Sequence, residues 1–306
     1  MIGTVTTGTG GVVRREGRLR QLELLVTRKL DGLLQGDYQG LVPAGGTEPG
    51  EGRLYAPGDD VRRMDWNLTA RSNAAHVRNT VADRELETWI VFDASASLDF
   101  GTTDQEKRDL ALSAAGAFAF LTARNGNRIG AVLFGADGSE VVPPRGGREA
   151  ALALLHAIEA RPRAMPRGDQ GSFGLADALR RARLVAHRRG LVVVVSDLLD
   201  DGPWDRELRA LALRHQVVVC SVGDPREREL PRVGLLTLVD PETGRTVDVQ
   251  TSDEKLRRRF AAAAAEQDRR HAEVVRRSGA RHLVLSTDRD WLRDVVRHVV
   301  STRRRR

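Results

Sequence analysis

Residues 89–97 read Trp89-Ile90-Val91-Phe92-Asp93-Ala94-Ser95-Ala96-Ser97, an apolar run that passes directly into one carboxylate and two hydroxyls. A short apolar run bounded by polar residues is typical of a buried strand, and the carboxyl ends of strands are where open α/β sheets bind ligands. Because Asp93, Ser95 and Ser97 are spaced two apart, their oxygens can converge on one point, which predicts a Mg²⁺ site of modest charge. A loop that caps the following helix is the alternative interpretation of the same motif.

Strands and helices alternate along the chain that surrounds this motif. The apolar run Leu191–Val195 is typical of a strand buried on both faces of a parallel sheet, and Ser196-Asp197 follows it. Between the two runs, Thr103-Asp104-Gln105-Glu106 predicts a capping-box start for a helix that extends to about Arg124. The alternation predicts an α/β fold with a doubly wound, mostly parallel sheet flanked by helices.

The chain divides into three predicted parts. Residues 1–16 are rich in Gly and Thr and are predicted to be a mobile leader. Residues 17–85 are predicted to form an N-terminal helix, because leucines recur at helical spacing, and then a loop-rich extension with many Gly and Pro residues. Residues 86–306 are predicted to form the α/β domain.

Composition excludes several classes of protein. Among 306 residues there is one cysteine, Cys220, which excludes an intrachain disulfide framework and fits a reducing cytoplasm. No apolar stretch reaches the length of a membrane span, and the N-terminus lacks the pattern of a signal peptide. The 49 basic residues are nearly matched by 42 acidic ones, so nucleic acid is not the expected partner. The tail Arg303–Arg306 is interpreted as a frayed terminus, with contact to an acidic partner or nucleic acid as the alternative.

Asp197 ends the second apolar strand as Asp93 ends the first. The carboxyl ends of parallel strands lie on one edge of a sheet, so Asp197 is expected to converge with Asp93, Ser95 and Ser97. With at most two carboxylates and several neutral oxygens, a bound Mg²⁺ would not be over-neutralised. It would keep an open or water-filled position for an Asp or Glu carboxylate of a partner protein. An N-cap or a solvated loop acid is the alternative interpretation of Asp197.

An upstream segment, Arg53–Arg71, carries a second motif that includes the turn Pro57-Gly58-Asp59-Asp60. Its turn places acids where they can bond neighbouring backbone N–H groups, and nearby acids and arginines predict a network of paired charges. Trp66 is expected to anchor the segment against the domain, and a surface that docks a partner is the alternative. The charged residues from this turn onward are Asp59, Asp60, Arg62, Arg63, Asp65 and Arg71.

These motifs together resemble known protein families. The D-x-S-x-S motif with the later Asp197 resembles the metal-ion-dependent adhesion site (MIDAS) of von Willebrand factor A domains. The segments Arg53–Arg71 and Asp93–Thr102 resemble the bacterial domain-of-unknown-function family fifty-eight, over roughly Gln35 to Ser286. The resemblance implies a von Willebrand factor A-like domain that binds Mg²⁺, or Mn²⁺, through the four residues named above. It also implies a non-enzymatic adaptor that works beside a MoxR-type AAA+ ATPase.

One loop departs from the family pattern, which places a Thr before the helix predicted at 175–187. An ungapped comparison puts Phe173 at the position of that Thr and Gly174 at the position of the acid that follows it. Ser172 or Asp169 would replace the Thr only if the loop shifted by a residue or more. Since Phe offers no ligand oxygen, this departure weakens or abolishes the expected affinity for the metal.

Two enzyme classes are the alternatives to a binding module. A metal-dependent phosphohydrolase would use strand-end acids with Mg²⁺, but position 95 is Ser where a second acid is needed. The phosphate would then need a cation such as Lys107, which fits a helix face equally well. A serine hydrolase would use Ser172, but a nucleophile elbow requires Gly at position 170, which is Gln. We therefore expect a cytoplasmic protein that is not an enzyme and whose site binds another protein.

Overall fold

The computed structural model describes residues 19–28, 53–56, 61, 64–72, 74–77, 86–124, 126–135, 137–163, 173–200 and 202–303. The predicted leader, residues 1–16, lies outside this part of the chain, as does most of 17–85, so the three-part division stays a prediction. In chain order the elements are α1 (residues 19–28), β1 (Arg53–Leu54), α2 (Trp66–Ser72), β2 (His76–Val77), β3 (Glu87–Asp93), α3 (Lys107–Arg124), β4 (Arg128–Gly135), β5 (Gly138–Gly146), α4 (Arg148–Ala160), α5 (Leu175–Val185), β6 (Gly190–Ser196), α6 (Trp204–Ala212), β7 (Gln216–Gly223), β8 (Leu235–Val239), β9 (Thr246–Gln250), α7 (Glu254–Ser278), β10 (Arg281–Ser286) and α8 (Trp291–Arg303).

Six strands form the central sheet in the order β10-β7-β6-β3-β4-β5. Neighbouring strands run parallel except β5, which is an antiparallel edge strand beside β4. The first and second apolar runs become β3 and β6, which pair with each other at the centre and are buried at every residue. The β6 backbone approaches closely at Gly190, where an added Cβ would overlap the carbonyl oxygen of Glu87 on β3.

Helices cover both faces of the sheet, each over its own hydrophobic core. One core joins side chains of α1, α3, α4 and α8 to the sheet, and the other joins α5, α6 and the end of α7 to the opposite face. The prediction of a doubly wound, mostly parallel sheet flanked by helices is confirmed. Among the described residues, no helix has both the length and the apolar character that a membrane span requires.

The sole cysteine lies on an interior strand of this sheet. Cys220 is fully buried on β7, beside Val195 of β6 and Leu283 of β10. Burial disfavours the charged thiolate and raises the pKa of the thiol. Cys220 is therefore a packing residue of the core.

Two local expectations are wrong. The capping box predicted at Thr103 does not form, because α3 begins at Lys107 and the Thr103 hydroxyl instead donates to the carbonyl of Thr287, 3.1 Å away. Trp66 does not anchor its segment, since 68% of its surface is exposed. Asp65 instead caps the start of α2, where its carboxylate accepts hydrogen bonds of 3.1 Å from the backbone N–H groups of Asn67 and Leu68.

Candidate functional site

The first predicted motif forms a tight turn at the carboxyl end of β3. The backbone N–H of Ser95 donates to Oδ1 of Asp93 at 2.9 Å, which folds the chain back over the carboxylate. A 3₁₀ turn follows over Ala96–Leu98. As a result the hydroxyl oxygens of Ser95 and Ser97 lie 3.0 Å apart. The structure therefore brings Asp93, Ser95 and Ser97 together, and we call residues 93–97 the Asp93 loop.

Ser196 is a member of this site to which the sequence assigned no role. Its hydroxyl donates to Oδ2 of Asp93 at 2.6 Å and accepts a hydrogen bond from the N–H of Leu198 at 3.1 Å. The cause is the strand register, since Phe92 pairs with Val195 and the next residue on each strand is then Asp93 or Ser196. The sequence signal was the polar residue that directly follows each apolar run. It identifies the contact only once β3 and β6 are known to be neighbouring strands.

The Asp93 carboxyl is shifted toward its protonated form. Only 5% of the residue is exposed. Burial, followed by the negative charge of Asp197, raises the pKa of Asp93 to about 7, although hydrogen bonds from Ser196 and Ser95 oppose the increase. A carboxyl group with this pKa exchanges its proton near neutral pH, which is common at functional sites.

Asp197 lies beside this loop, but a buried ammonium group neutralises it. Nζ of Lys107 is 2.9 Å from Oδ2 of Asp197 and 2.5 Å from Oε1 of Glu227, and the lysine side chain is fully buried. Burial lowers the pKa of Lys107, but the charges of Asp197 and Glu227 outweigh it, so the pKa is raised overall. The lysine is thus an internal ion-pair partner at the base of α3, and it is not placed on a solvent-exposed helix face.

Backbone strain marks the turn that follows Asp197. Among the described residues, Leu198 is the one non-glycine residue with a positive φ, at 61°. A buried branched side chain in this conformation is uncommon and costs energy. The turn is held by the hydrogen bond to Ser196 given above and by the N–H of Leu199, which donates to Oδ1 of Asp197 at 3.2 Å. Both strand-end acids are therefore fixed in orientation by backbone N–H groups two residues later.

The loop that departs from the family pattern is partly described. Ser172 and Asp169 lie outside the described residues, as do Asp59, Asp60, Arg62 and Arg63 of the upstream segment. A Cβ at Gly174 would collide with the carboxylate of Asp200, which accepts the N–H of Leu175 at the start of α5 at 2.5 Å. A side chain at position 174 would therefore have to displace the Asp200 carboxylate from the start of α5.

A second carboxylate reaches the Asp93 loop from a distant part of the chain. Strands β8 and β9 form a separate antiparallel hairpin, and its turn carries Glu242. Oε1 of Glu242 accepts a hydrogen bond of 3.0 Å from the backbone N–H of Ser97. The two residues are 145 positions apart in sequence, and no pattern in either segment indicates the contact.

The oxygen donors of the Asp93 loop suit a hard divalent cation in part. A carboxylate and two adjacent hydroxyls are ligand types that Mg²⁺ and Mn²⁺ accept. Against this, Asp197 is paired with Lys107, and Phe173 cannot supply an oxygen. Within the described residues no cluster of three His, Cys, Asp or Glu side chains has a metal-binding arrangement. The donor set therefore fits a cation site whose negative charge comes mainly from Asp93.

A cavity of about 480 Å³ is lined by Asp197 and by residues of β7, β10 and α7. Its polar lining includes Ser221 and His282, whose hydroxyl oxygen and Nε2 are 2.8 Å apart. Burial lowers the pKa of both His282 and His271, which also line the cavity. These histidines, scattered in sequence, are thus drawn together as neutral, half-buried side chains.

Comparisons with known proteins place the chain among uncharacterized relatives. A family model described as "Protein of unknown function DUF58" matches residues 51–270. The uncharacterized protein Rv1480 of Mycobacterium tuberculosis is 52% identical over 287 residues, which cover 94% of this chain and 89% of that protein. Among solved structures, the conserved hypothetical protein BatB of Bacteroides thetaiotaomicron aligns at 14% identity and a TM-score of 0.46, over 71% of this chain and 98% of that one. The SpRpn10 VWA domain aligns at 16% identity and a TM-score of 0.39, over 70% of this chain and 94% of that domain.

Proposed function

The chain belongs to the DUF58 family, and from this premise we propose that it is a von Willebrand factor A-like protein-interaction module. Its Asp93 loop would receive an acidic side chain of a partner protein. The observation that carries the proposal is the contact between the N–H of Ser97 and the carboxylate of Glu242, because it places a carboxylate against the loop. The neighbouring hydroxyls of Ser95 and Ser97 offer further donors to such a group.

We propose Mg²⁺, or Mn²⁺, as the cation of this site. Asp93, Ser95 and Ser97 would hold it, and Asp197 would add negative charge that Lys107 partly cancels. When bound, the cation would supply positive charge between Asp93 and the partner's carboxylate. Ser172 stays a predicted further ligand in a segment outside the described residues.

The geometry of the site gives less support to the two enzyme classes considered as alternatives. A phosphohydrolase would need a cation to bind the phosphate, and the predicted candidate Lys107 is buried between Asp197 and Glu227. The serine-hydrolase interpretation depends on Ser172, for which the described residues provide no geometry. We therefore propose a non-enzymatic role.

The proposed partner is a MoxR-type AAA+ ATPase of the cytoplasm, as the sequence resemblance implies. This chain has no G-x-x-x-x-G-K-[ST] motif, so ATP hydrolysis in such a complex would belong to the partner. The segment around Asp65, Trp66 and Arg71 is a proposed second contact. Its support is the exposure of Trp66, because a large exposed aromatic side chain suits a docking surface better than a structural anchor.

A cation titration tests the metal part of the proposal. Melting temperature is followed with Mg²⁺ and Mn²⁺ for the wild type, for Asp93→Ala and for the control Glu273→Ala. Glu273 is a half-buried acid near the end of α7, at the opposite edge of the sheet, where it pairs with Arg276 and Arg277. At a cation concentration 100 times the Kd, binding to the native state adds about 2.7 kcal/mol, or about 5–10 °C for a domain of this size. We expect the increase in the wild type and the control and none in Asp93→Ala.

A capture experiment tests the interaction itself. The wild type, Asp93→Ala and Glu273→Ala serve as baits for the MoxR-type ATPase of the native host, with Mg²⁺ or with a chelator. We expect Asp93→Ala, or the chelator, to reduce capture at least tenfold. Equal capture by all three baits would show that the Asp93 loop is not the binding surface.

A further inference from the structure

The hairpin of β8 and β9 stands apart from the rest of the described fold. Both strands are largely solvent-exposed, including the apolar residues Leu235, Val239 and Val247. A two-stranded hairpin has little stability of its own in water. The position of its tip therefore depends on the contacts that it makes with the domain, and Glu242 provides one at the Asp93 loop.

The base of the hairpin is firmly attached. The buried Thr251 accepts the N–H of Val233 at 3.0 Å through its hydroxyl oxygen, and its own N–H and hydroxyl both reach the carbonyl of Gly234 at 2.7 Å. Gly234 has a φ of 85°, which only glycine adopts easily, so the chain turns sharply there. The hairpin is thus fixed to the domain at its base, and its tip contacts the Asp93 loop.

The turn at the tip holds Glu242 in a defined orientation. The carboxylate of Asp240 accepts the N–H of Glu242 at 2.9 Å and the hydroxyl of Thr243 at 2.5 Å. The N–H of Gly244 closes the turn on the carbonyl of Asp240 at 2.8 Å. The hydrogen bond from Thr243 and then that from Glu242 lower the pKa of Asp240, so it stays ionised and keeps the turn folded.

We propose that Glu242 is a built-in competitor for the Asp93 loop. The hairpin presents a carboxylate to the N–H of Ser97, and this is the chemical group that the proposed function assigns to the partner. A partner's acidic side chain then binds after the tip of the hairpin moves away, while the base stays attached. The inference rests on the proposed function and adds a means of controlling it.

Two measurements on the same variants test the proposal. The first is hydrogen exchange of the Ser97 amide in the wild type, in Glu242→Ala and in Asp248→Asn. Asp248 is a matched control, because it is an acid of the same hairpin that accepts the hydroxyl of Thr237 at 2.6 Å. We expect exchange at Ser97 to be at least tenfold faster in Glu242→Ala alone. Unchanged exchange would overturn the proposal, since Glu242 would then not hold the loop.

The second measurement is an NMR titration with the peptide acetyl-Gly-Glu-Gly-amide in Mg²⁺, followed at the same amide, with the Gln peptide as control. If Glu242 contacts the Asp93 loop about nine-tenths of the time, removing its carboxylate raises the apparent affinity for the peptide about tenfold. Tenfold tighter binding of the Glu peptide to Glu242→Ala than to the wild type supports the proposal. Equal binding by the two proteins overturns it and leaves the proposed function standing. Binding of the Glu peptide to neither protein overturns both.

Discussion

Replacing Asp93 by Asn is expected to stabilise the protein at high pH. The pKa of Asp93 is raised from 3.8 to about 7 in the native state. As pH rises through this window, the unfolded chain loses its proton first, so the native state becomes progressively less stable relative to it. The difference of about 3 in pKa corresponds to on the order of 4 kcal/mol above pH 7, and it vanishes below pH 4. An Asn side chain has no proton to lose and escapes this destabilisation.

The Asn variant also changes one hydrogen bond. Its amide NH₂ would face the hydroxyl of Ser196, which now donates to Asp93 at 2.6 Å and would have to accept instead. That exchange costs about 1 kcal/mol at every pH, so it shifts the whole curve without changing its slope. The slope with pH therefore isolates the ionisation of Asp93 from the altered hydrogen bond.

The assay is urea unfolding of both proteins between pH 5 and pH 8 in a chelator, followed by circular dichroism. The plotted quantity is the free energy of unfolding of Asp93→Asn minus that of the wild type. We expect it to rise by about 3 kcal/mol across this range, because most of the titration window lies within it. A difference that stays flat within about 1 kcal/mol would falsify the raised pKa and with it the electrostatic account of the site.

Three further predictions concern the contacts around the site and the sheet. Lys107→Met leaves the carboxylate of Asp197 buried without its cation and is expected to lower the free energy of unfolding in urea by about 3–5 kcal/mol. Adding Asp197→Asn should recover part of this stability. A loss of stability below about 1 kcal/mol would contradict the buried ion pair. Gly190→Ala forces β6 away from β3 and is expected to cost more than about 3 kcal/mol, so an unchanged melting temperature would be incompatible with this close approach. Ser196→Ala removes a hydrogen bond that lowers the pKa of Asp93, so the carboxyl titration followed by ¹³C NMR should move to higher pH, and a move to lower pH would refute the assignment.

The sequence was most informative where a residue's surroundings are set by its own strand. The all-apolar runs of β3 and β6 could only be satisfied inside a sheet covered on both faces, so the fold class followed from them. Asp93, Ser95 and Ser97 belong to one turn, and their spacing alone brings their oxygens together. These parts of the structure depend on local geometry, which a sequence pattern records.

The remaining features of the site depend on tertiary contacts that no local pattern records. Lys107 opens an ordinary-looking helix, and only the packing of α3 against the sheet turns its side chain toward Asp197. Ser196 gains its role from the register of two strands that are about a hundred residues apart. Glu242 lies in a polar turn that would pass for a solvent-exposed loop. The partner of each residue could be identified only from the three-dimensional packing of segments that are far apart in sequence.

Because Cys220 is fully buried, the protein suits site-specific labelling for spectroscopy. A thiol held in its neutral form between packed strands does not react with maleimides or nitroxide reagents while the protein stays folded. Since the chain has no other cysteine, cysteines introduced at the surface become the attachment points for fluorophores or spin labels. Donor and acceptor sites can therefore be installed without first removing a native residue from the core.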